Sequence, residues 1–147
     1  MQTNTDGYES LLLQNQLCFP LYAAAKEVVR LYKPFLDEIG LTYTQYIAMM
    51  VLWESRSMSV KELGERLYLD SGTLTPLLKK METQGIVSRR RSAQDERSVL
   101  VSVTEKGDAL RERALSVPAQ MKNCIPLTSE EVNTLYHLLY RVLHAEG

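Results

Sequence analysis

The chain has 147 residues, 45% of them hydrophobic, with 17 Lys and Arg against 18 Asp and Glu for a net charge of −1. That length supports one domain with a real core and is short for two, and the near-neutral balance gives no bulk electrostatic argument for a polyanionic partner. Two cysteines far apart in sequence exclude a dense disulfide framework, and no Cys/His spacing points to zinc, so neither a metal nor a cofactor is expected.

The opening residues, MQTNTDGYES, lack a charged segment followed by an apolar one, and the longest apolar run, Ile47 to Trp53, is far short of a bilayer span. A cytoplasmic location without a membrane partner is expected. From Leu11 to Ile39, apolar residues at Leu17, Leu21, Ala25, Val28 and Tyr32 predict a long amphipathic helix that begins or bends near Pro20 and closes at Gly40. Thr44 to Ser55 reads as a second helix that buries Tyr46, Ile47, Met50, Val51 and Trp53. Ser59 to Leu69 reads as a third, with Ser59 and Glu62 spaced as a capping box. A fourth helix starts around Asp70 to Thr73 and ends at Gly85. Leu74, Leu77, Leu78 and Met81 form its inner face, and Pro76 sits where a lost N–H matters least.

Two strands follow, Ile86 to Arg91 and Ser98 to Val103, joined by the turn SAQDE, with Val99, Val101 and Val103 alternating onto one face. A fifth helix runs from Thr104 or Glu105 to about Met121, interrupted near Pro118. A sixth follows the Thr128 and Glu131 capping box. Its stripe of Val132, Leu135, Leu139 and Val142, widened by Tyr136, Leu138 and Leu143, exceeds what a small monomer's core needs, which predicts a homodimer. His137 and His144 lie there without a third metal ligand. The fold class is mainly α with a small β-hairpin (α+β): a winged helix-turn-helix at about 43–104, with dimerisation helices at about 9–39 and 105–147, all in one unit.

Charge sharpens this layout. From Lys79 to Arg97 there are six basic residues (Lys79, Lys80, Arg89, Arg90, Arg91, Arg97) against three acidic ones (Glu82, Asp95, Glu96), so this segment is net basic in a chain that is net acidic. Concentrated cations release counterions from phosphates, and Ser71, Thr73 and Thr75 at the fourth helix's exposed start offer hydroxyls to base edges or phosphates. Double-stranded DNA is the partner this pattern implies. The major groove would take Ser71, Thr73, Thr75 and Lys79, while Lys80, Arg89, Arg90, Arg91 and Arg97 line the same basic element, with Asp95 orienting the wing through Arg97.

The element order, the string VKELGERLYLDSGTLTPLLKKMETQGIVSRRRSAQDERSVLVSVTEKG and the segment NQLCFPLYAAAKEVVRLYKPFLDEIGLTYTQY resemble the MarR family of winged helix-turn-helix regulators, in its branch of organic-hydroperoxide-sensing repressors. The resemblance covers nearly the whole chain. It implies a homodimer on a pseudo-palindromic operator, an organic hydroperoxide as oxidant, a redox-sensing cysteine at Cys18 and thiolate-supporting tyrosines at Tyr32 and Tyr43. By pattern alone, Cys18 reads as a small core hydrophobe, Tyr32 and Tyr43 as core or interface residues, and RRR as a solvated edge.

Helix geometry constrains what the resemblance implies. Fourteen residues separate Cys18 from Tyr32, roughly 21 Å along a straight axis at about 1.5 Å per residue, so the two cannot touch within one subunit. Tyr32 would have to come from the partner, and Tyr22, one turn from Cys18, is the one of these tyrosines within reach in the same subunit. A free thiol is mostly protonated at neutral pH, and hydroxyls donating to sulfur favour the reactive anion. Peroxide attack gives a sulfenic acid that a second thiol condenses to a disulfide. Cys124 is the internal candidate for that resolving thiol; otherwise a small-molecule thiol takes its place. Two other readings stay open: a regulator controlled by a phenolic or lipophilic small ligand, and a thiol peroxidase using Cys18 and Cys124. An enzyme is not expected, because it leaves the basic hairpin without a use.

Overall fold

In the computed structural model, residues 7–145 are described. The chain enters through two short 3-10 turns, Glu9–Leu11 and Leu13–Asn15, and continues as α1 (Cys18–Asp37), α2 (Tyr43–Ser55), β1 (Ser57–Ser59), α3 (Val60–Leu67) and α4 (Ser71–Thr83). Then come β2 (Val87–Arg91), β3 (Val99–Val103), α5 (Glu105–Ala114), α6 (Val117–Lys122) and α7 (Ser129–Leu143).

Capping chemistry fixes most helix starts. Thr42 and Gln45, Ser59 and Glu62, and Thr128 and Glu131 form reciprocal capping boxes ahead of α2, α3 and α7. Asp70 accepts the Thr73 N–H at 2.8 Å to open α4, and Thr104 accepts the Gly107 N–H at 3.1 Å to open α5.

The long first helix is shorter than its periodicity predicts. Residues 11–17 lie outside it, and Cys18 is its first residue. Pro20 falls in the first turn, where no intrahelical bond is lost, so the proline marks a beginning and not a bend. Pro34, near the other end of α1, does sit inside the helix. The predicted fifth helix divides into α5 and α6 at residues 115–116, just ahead of Pro118 in the first turn of α6. Met50 is 45% exposed, against the expectation of burial, because it lies on the side of α2 away from the core.

The three strands form one antiparallel sheet in the order β1-β3-β2. β1 is too short to show alternation in sequence and is defined by its pairing, Ser57 opposite Ser102 with their hydroxyls 2.8 Å apart. Val101 on the central strand is fully buried. α2 runs through the middle of the core, its Ala48, Met49 and Leu52 completely covered, and α4 adds Leu74, Leu78 and Met81. Trp53 donates its indole N–H to the Gly107 carbonyl at 3.0 Å, tying α2 to α5. A Cβ on Gly107 would overlap the Ile86 carbonyl, so the helix that leaves the wing can pack this closely only with glycine there.

Candidate nucleic-acid interface and thiol site

α3 and α4 meet at the turn Tyr68–Asp70, and the sheet's β2–β3 hairpin projects beside α4. Ser71 and Thr73 are exposed at the start of α4, and Lys79 and Lys80 are exposed further along it, whereas Thr75 is half-buried. Thr75 lies instead in a groove of about 380 Å³ walled by α3, α4 and the wing, together with Lys61, Arg89, Asp95 and Arg97. Sequence reading does not single out Lys61, since its basic character shows only once α3 is folded against the wing.

Within the predicted basic set, strand alternation separates the arginines. Arg89 is paired opposite the fully buried Val101, which puts both on the core face of the sheet. Its guanidinium reaches Glu82 of α4 at 3.3 Å, and its backbone N–H donates to the same carboxylate at 3.0 Å. Arg89 Nε is buried without a partner. Arg89 therefore ties the wing to α4 and is not a freely presented cation. Arg91 donates to the Glu96 carbonyl at 2.9 Å and so also serves the hairpin. Arg90 and Arg97 are the pair left to face outward from the wing. Asp95 does orient the wing, but through backbone: its carboxylate accepts the Arg97 N–H at 3.0 Å, and its carbonyl accepts the Ser98 N–H at 2.9 Å. Such a bond from an Asp side chain to the amide two residues on is what fixes a tight polar turn.

Cys18 and Cys124 are both free thiols. Cys18 is exposed at the first position of α1 and lies outside the chain's own core. Cys124 is half-buried just past α6, its thiol donating to the Gln120 carbonyl at 3.4 Å. Among the described residues no hydrogen bond joins Cys18 to Tyr22, Tyr32 or Tyr43. Tyr22 is exposed, with the Lys26 ammonium 5.3 Å from its ring centre.

Tyr32 and Tyr43 do come together, their ring centres 4.9 Å apart across α1 and α2. A third tyrosine completes the cluster: Tyr46, 3% exposed, is 5.7 Å from Tyr32 and 6.5 Å from Tyr43. Sequence reading places Tyr46 in the core without joining it to the other two, although its spacing of three residues from Tyr43 on one helix gives the signal. Burial pushes all three phenols above the ordinary value of 10.0, and for Tyr32 and Tyr46 neighbouring phenols add to the effect. Their hydroxyls stay protonated at neutral pH, able to donate to an anion.

Most of the exposed large apolar side chains belong to residues 8–29 or 115–143; Met50 and Tyr68 are the exceptions. α7 buries no residue at all, and α1 buries only Leu36. No helix among the described residues is long and apolar enough to cross a membrane.

A helix with an exposed hydroxyl-rich start, a basic wing beside it and terminal helices with uncovered apolar faces define a winged-helix transcriptional regulator. The family model "Transcriptional regulator SarA/Rot" matches residues 30–113. Over 136 residues the chain is 48% identical to the organic hydroperoxide resistance transcriptional regulator of Bacillus subtilis (strain 168), covering 92% of each. Reduced AbfR bound to DNA superposes with a TM-score of 0.75 at 32% identity, over 92% of this chain and 96% of that one. The disulfide-formed AbfR gives 0.59 at the same identity, over 96% and 94%. A cysteine-to-serine mutant of MarR from E. coli, complexed with operator DNA, gives 0.76 at 26% identity, over 94% and 99%. The chain belongs to the MarR family of winged-helix transcriptional regulators, in its organic hydroperoxide resistance branch.

Proposed function

We propose that the chain is a homodimeric repressor that holds a pseudo-palindromic operator while Cys18 is reduced and releases it when an organic hydroperoxide oxidises that thiol. The observation that carries this reading is the position of Cys18: exposed at the tip of α1, amid apolar side chains that a second subunit would cover. The α1 helix is continuous from Cys18 to Asp37, which keeps the Tyr32 of the same subunit about 21 Å away along the axis. A partner running antiparallel along α1 brings its own Tyr32 and Tyr43 to the thiol. The sensing site is thus made by two chains.

In the reaction, the Cys18 thiolate attacks one peroxide oxygen and the O–O bond breaks. The alcohol leaves, and the sulfur, oxidised by two electrons, becomes a sulfenic acid. The thiol of Cys124 or of a small molecule then condenses with it, releasing water and forming a disulfide. The chain acts as a stoichiometric sensor and not as an enzyme. Residues 9–39 and 105–147 supply the dimer, and 43–104 the DNA-reading lobe. Ser71, Thr73 and Lys79 face the major groove, Lys80, Arg90 and Arg97 meet phosphate, and Arg89 and Asp95 hold the wing in place for them. The two recognition helices would sit about 34 Å apart, one turn of the duplex.

Fluorescence anisotropy of a labelled operator tests this reading, with an organic hydroperoxide added first and a dithiol afterwards. Wild type should dissociate and then rebind, and Cys18→Ser should stay bound throughout. A wild-type complex that ignores peroxide overturns the redox mechanism, and release from a dimer lacking Cys18 places the sensor elsewhere.

A further inference from the structure

The turn that presents α4 is tightly built. Tyr68 closes α3 in the left-handed conformation, at φ 55° and ψ 37°, which side-chain-bearing residues adopt only when their surroundings hold them there. The Leu69 N–H returns to the Gly64 carbonyl at 3.0 Å, and a Cβ on Gly64 would come within 2.8 Å of the Leu69 carbonyl oxygen. Asp70 then caps α4. The angle between α3 and α4 is therefore set by residues 64–70, with Tyr68 at the centre.

The Tyr68 hydroxyl lies 3.2 Å from Nε2 of His144, the residue that ends α7. Apart from the Thr128–Glu131 capping box, this is the one side-chain hydrogen bond among the described residues that joins α7 and its caps to another part of the chain. His144 is itself seated at the end of an aromatic ladder on one face of α7: Tyr136 to Tyr140 at 4.8 Å between ring centres, then Tyr140 to His144 at 5.5 Å. A rotation of α7 carries the imidazole with it.

We infer that Tyr68 and His144 form a strut that transmits the position of α7 to the turn presenting α4 to DNA. It rests on the reading of the chain as an operator-binding dimer. Both are positioning residues. Tyr68 holds the turn from within, and His144 holds Tyr68 from the helix whose apolar face awaits the second subunit. Oxidation at the dimer interface thereby gains a direct mechanical route to the recognition helix, separate from any change in the spacing of the two lobes.

The test is a double-mutant cycle on reduced protein with Tyr68→Phe, His144→Ala and the double variant, read by operator anisotropy. Each single change should weaken binding about two- to tenfold, the range one neutral hydrogen bond spans, and the double variant should be no weaker than the weaker single. Losses that multiply, or a His144→Ala protein that binds like wild type, overturn the strut. Amide hydrogen exchange without DNA keeps the two questions separate. His144→Ala should speed exchange across residues 68–74 even if wild type fails to bind any operator, and unchanged exchange there contradicts the coupling.

Discussion

The winged lobe and the last helix, α7, are built to opposite rules. In the lobe, α2 buries seven of its thirteen residues and α4 and β3 close over it. The same core takes in Leu36 of α1, Ala114 of α5 and Val117 and Met121 of α6. α7, by contrast, has fifteen residues and buries none, although its stripe from Val132 to Leu143 is as apolar as a core helix. A helix of that kind gets its stability from packing and not from propensity, so its missing packing belongs to another chain. The lobe, with the parts of α1, α5 and α6 that share its core, is packed within the chain; the apolar face of α7 is left uncovered.

The largest expected effect breaks the lobe. Leu52→Ala should cost about 2–5 kcal/mol by opening a cavity in a fully covered site, with a melting temperature that falls equally at all protein concentrations. Leu135→Asp on α7 sharpens the contrast: in place of a cavity it puts a charge in the proposed interface. Sedimentation should show a monomer, and the melting temperature should depend on concentration in wild type but not in the variant. A dimer that survives Leu135→Asp would put the interface on another face.

Next come the arginines. Arg97→Ala should weaken operator binding and lower the slope of log affinity against log salt by about 1, as one phosphate contact is lost. Arg89→Ala should act differently, loosening the wing by removing the Glu82 tie, and its salt slope should change less than that of Arg97→Ala. Equal slopes for the two would contradict the division of labour between Arg89 on the core face of β2 and Arg97 in the β2–β3 turn.

The smallest effect is a pH dependence. The three clustered tyrosines have folded pKa values above the unfolded value of 10.0, so the stability they confer is complete below pH 10 and is lost as pH rises through their folded values. Tyr46→Phe should shift alkaline unfolding to higher pH while changing neutral-pH stability little, as followed by circular dichroism.

Much of the fold is legible in the sequence because its signals are local. Ser59 with Glu62 and Thr128 with Glu131 are capping boxes at fixed spacing, and the alternating valines of β3 declare a half-buried strand. The capping box at Thr42 and Gln45 escapes a sequence reading, since glutamine there also reads as an ordinary helical residue; its side chain reaches Gln84 at 3.2 Å and is buried. β1 has no local signal, being three residues long. The apolar residues before Cys18 imitate a longer helix because exposed leucines and core leucines can follow the same periodicity. The candidate site is legible in its residues but not in its connections. The pairing of Arg89 with Glu82 depends on which face of the sheet meets α4, and the seating of Tyr46 against Tyr32 depends on how α1 crosses α2.

The central claim is that the thiol of one subunit is served by the tyrosine of the other, and subunit mixing tests it most directly. In a heterodimer of a Cys18→Ser chain with a Tyr32→Phe chain, the remaining Cys18 faces the intact Tyr32 of its partner. That thiol should react with an organic hydroperoxide at the wild-type rate. In a heterodimer of wild type with a chain carrying both Cys18→Ser and Tyr32→Phe, the remaining Cys18 faces a ring without its hydroxyl and should react slowly. The reverse order of rates would place Tyr32 beside the cysteine of its own chain and contradict the two-chain site.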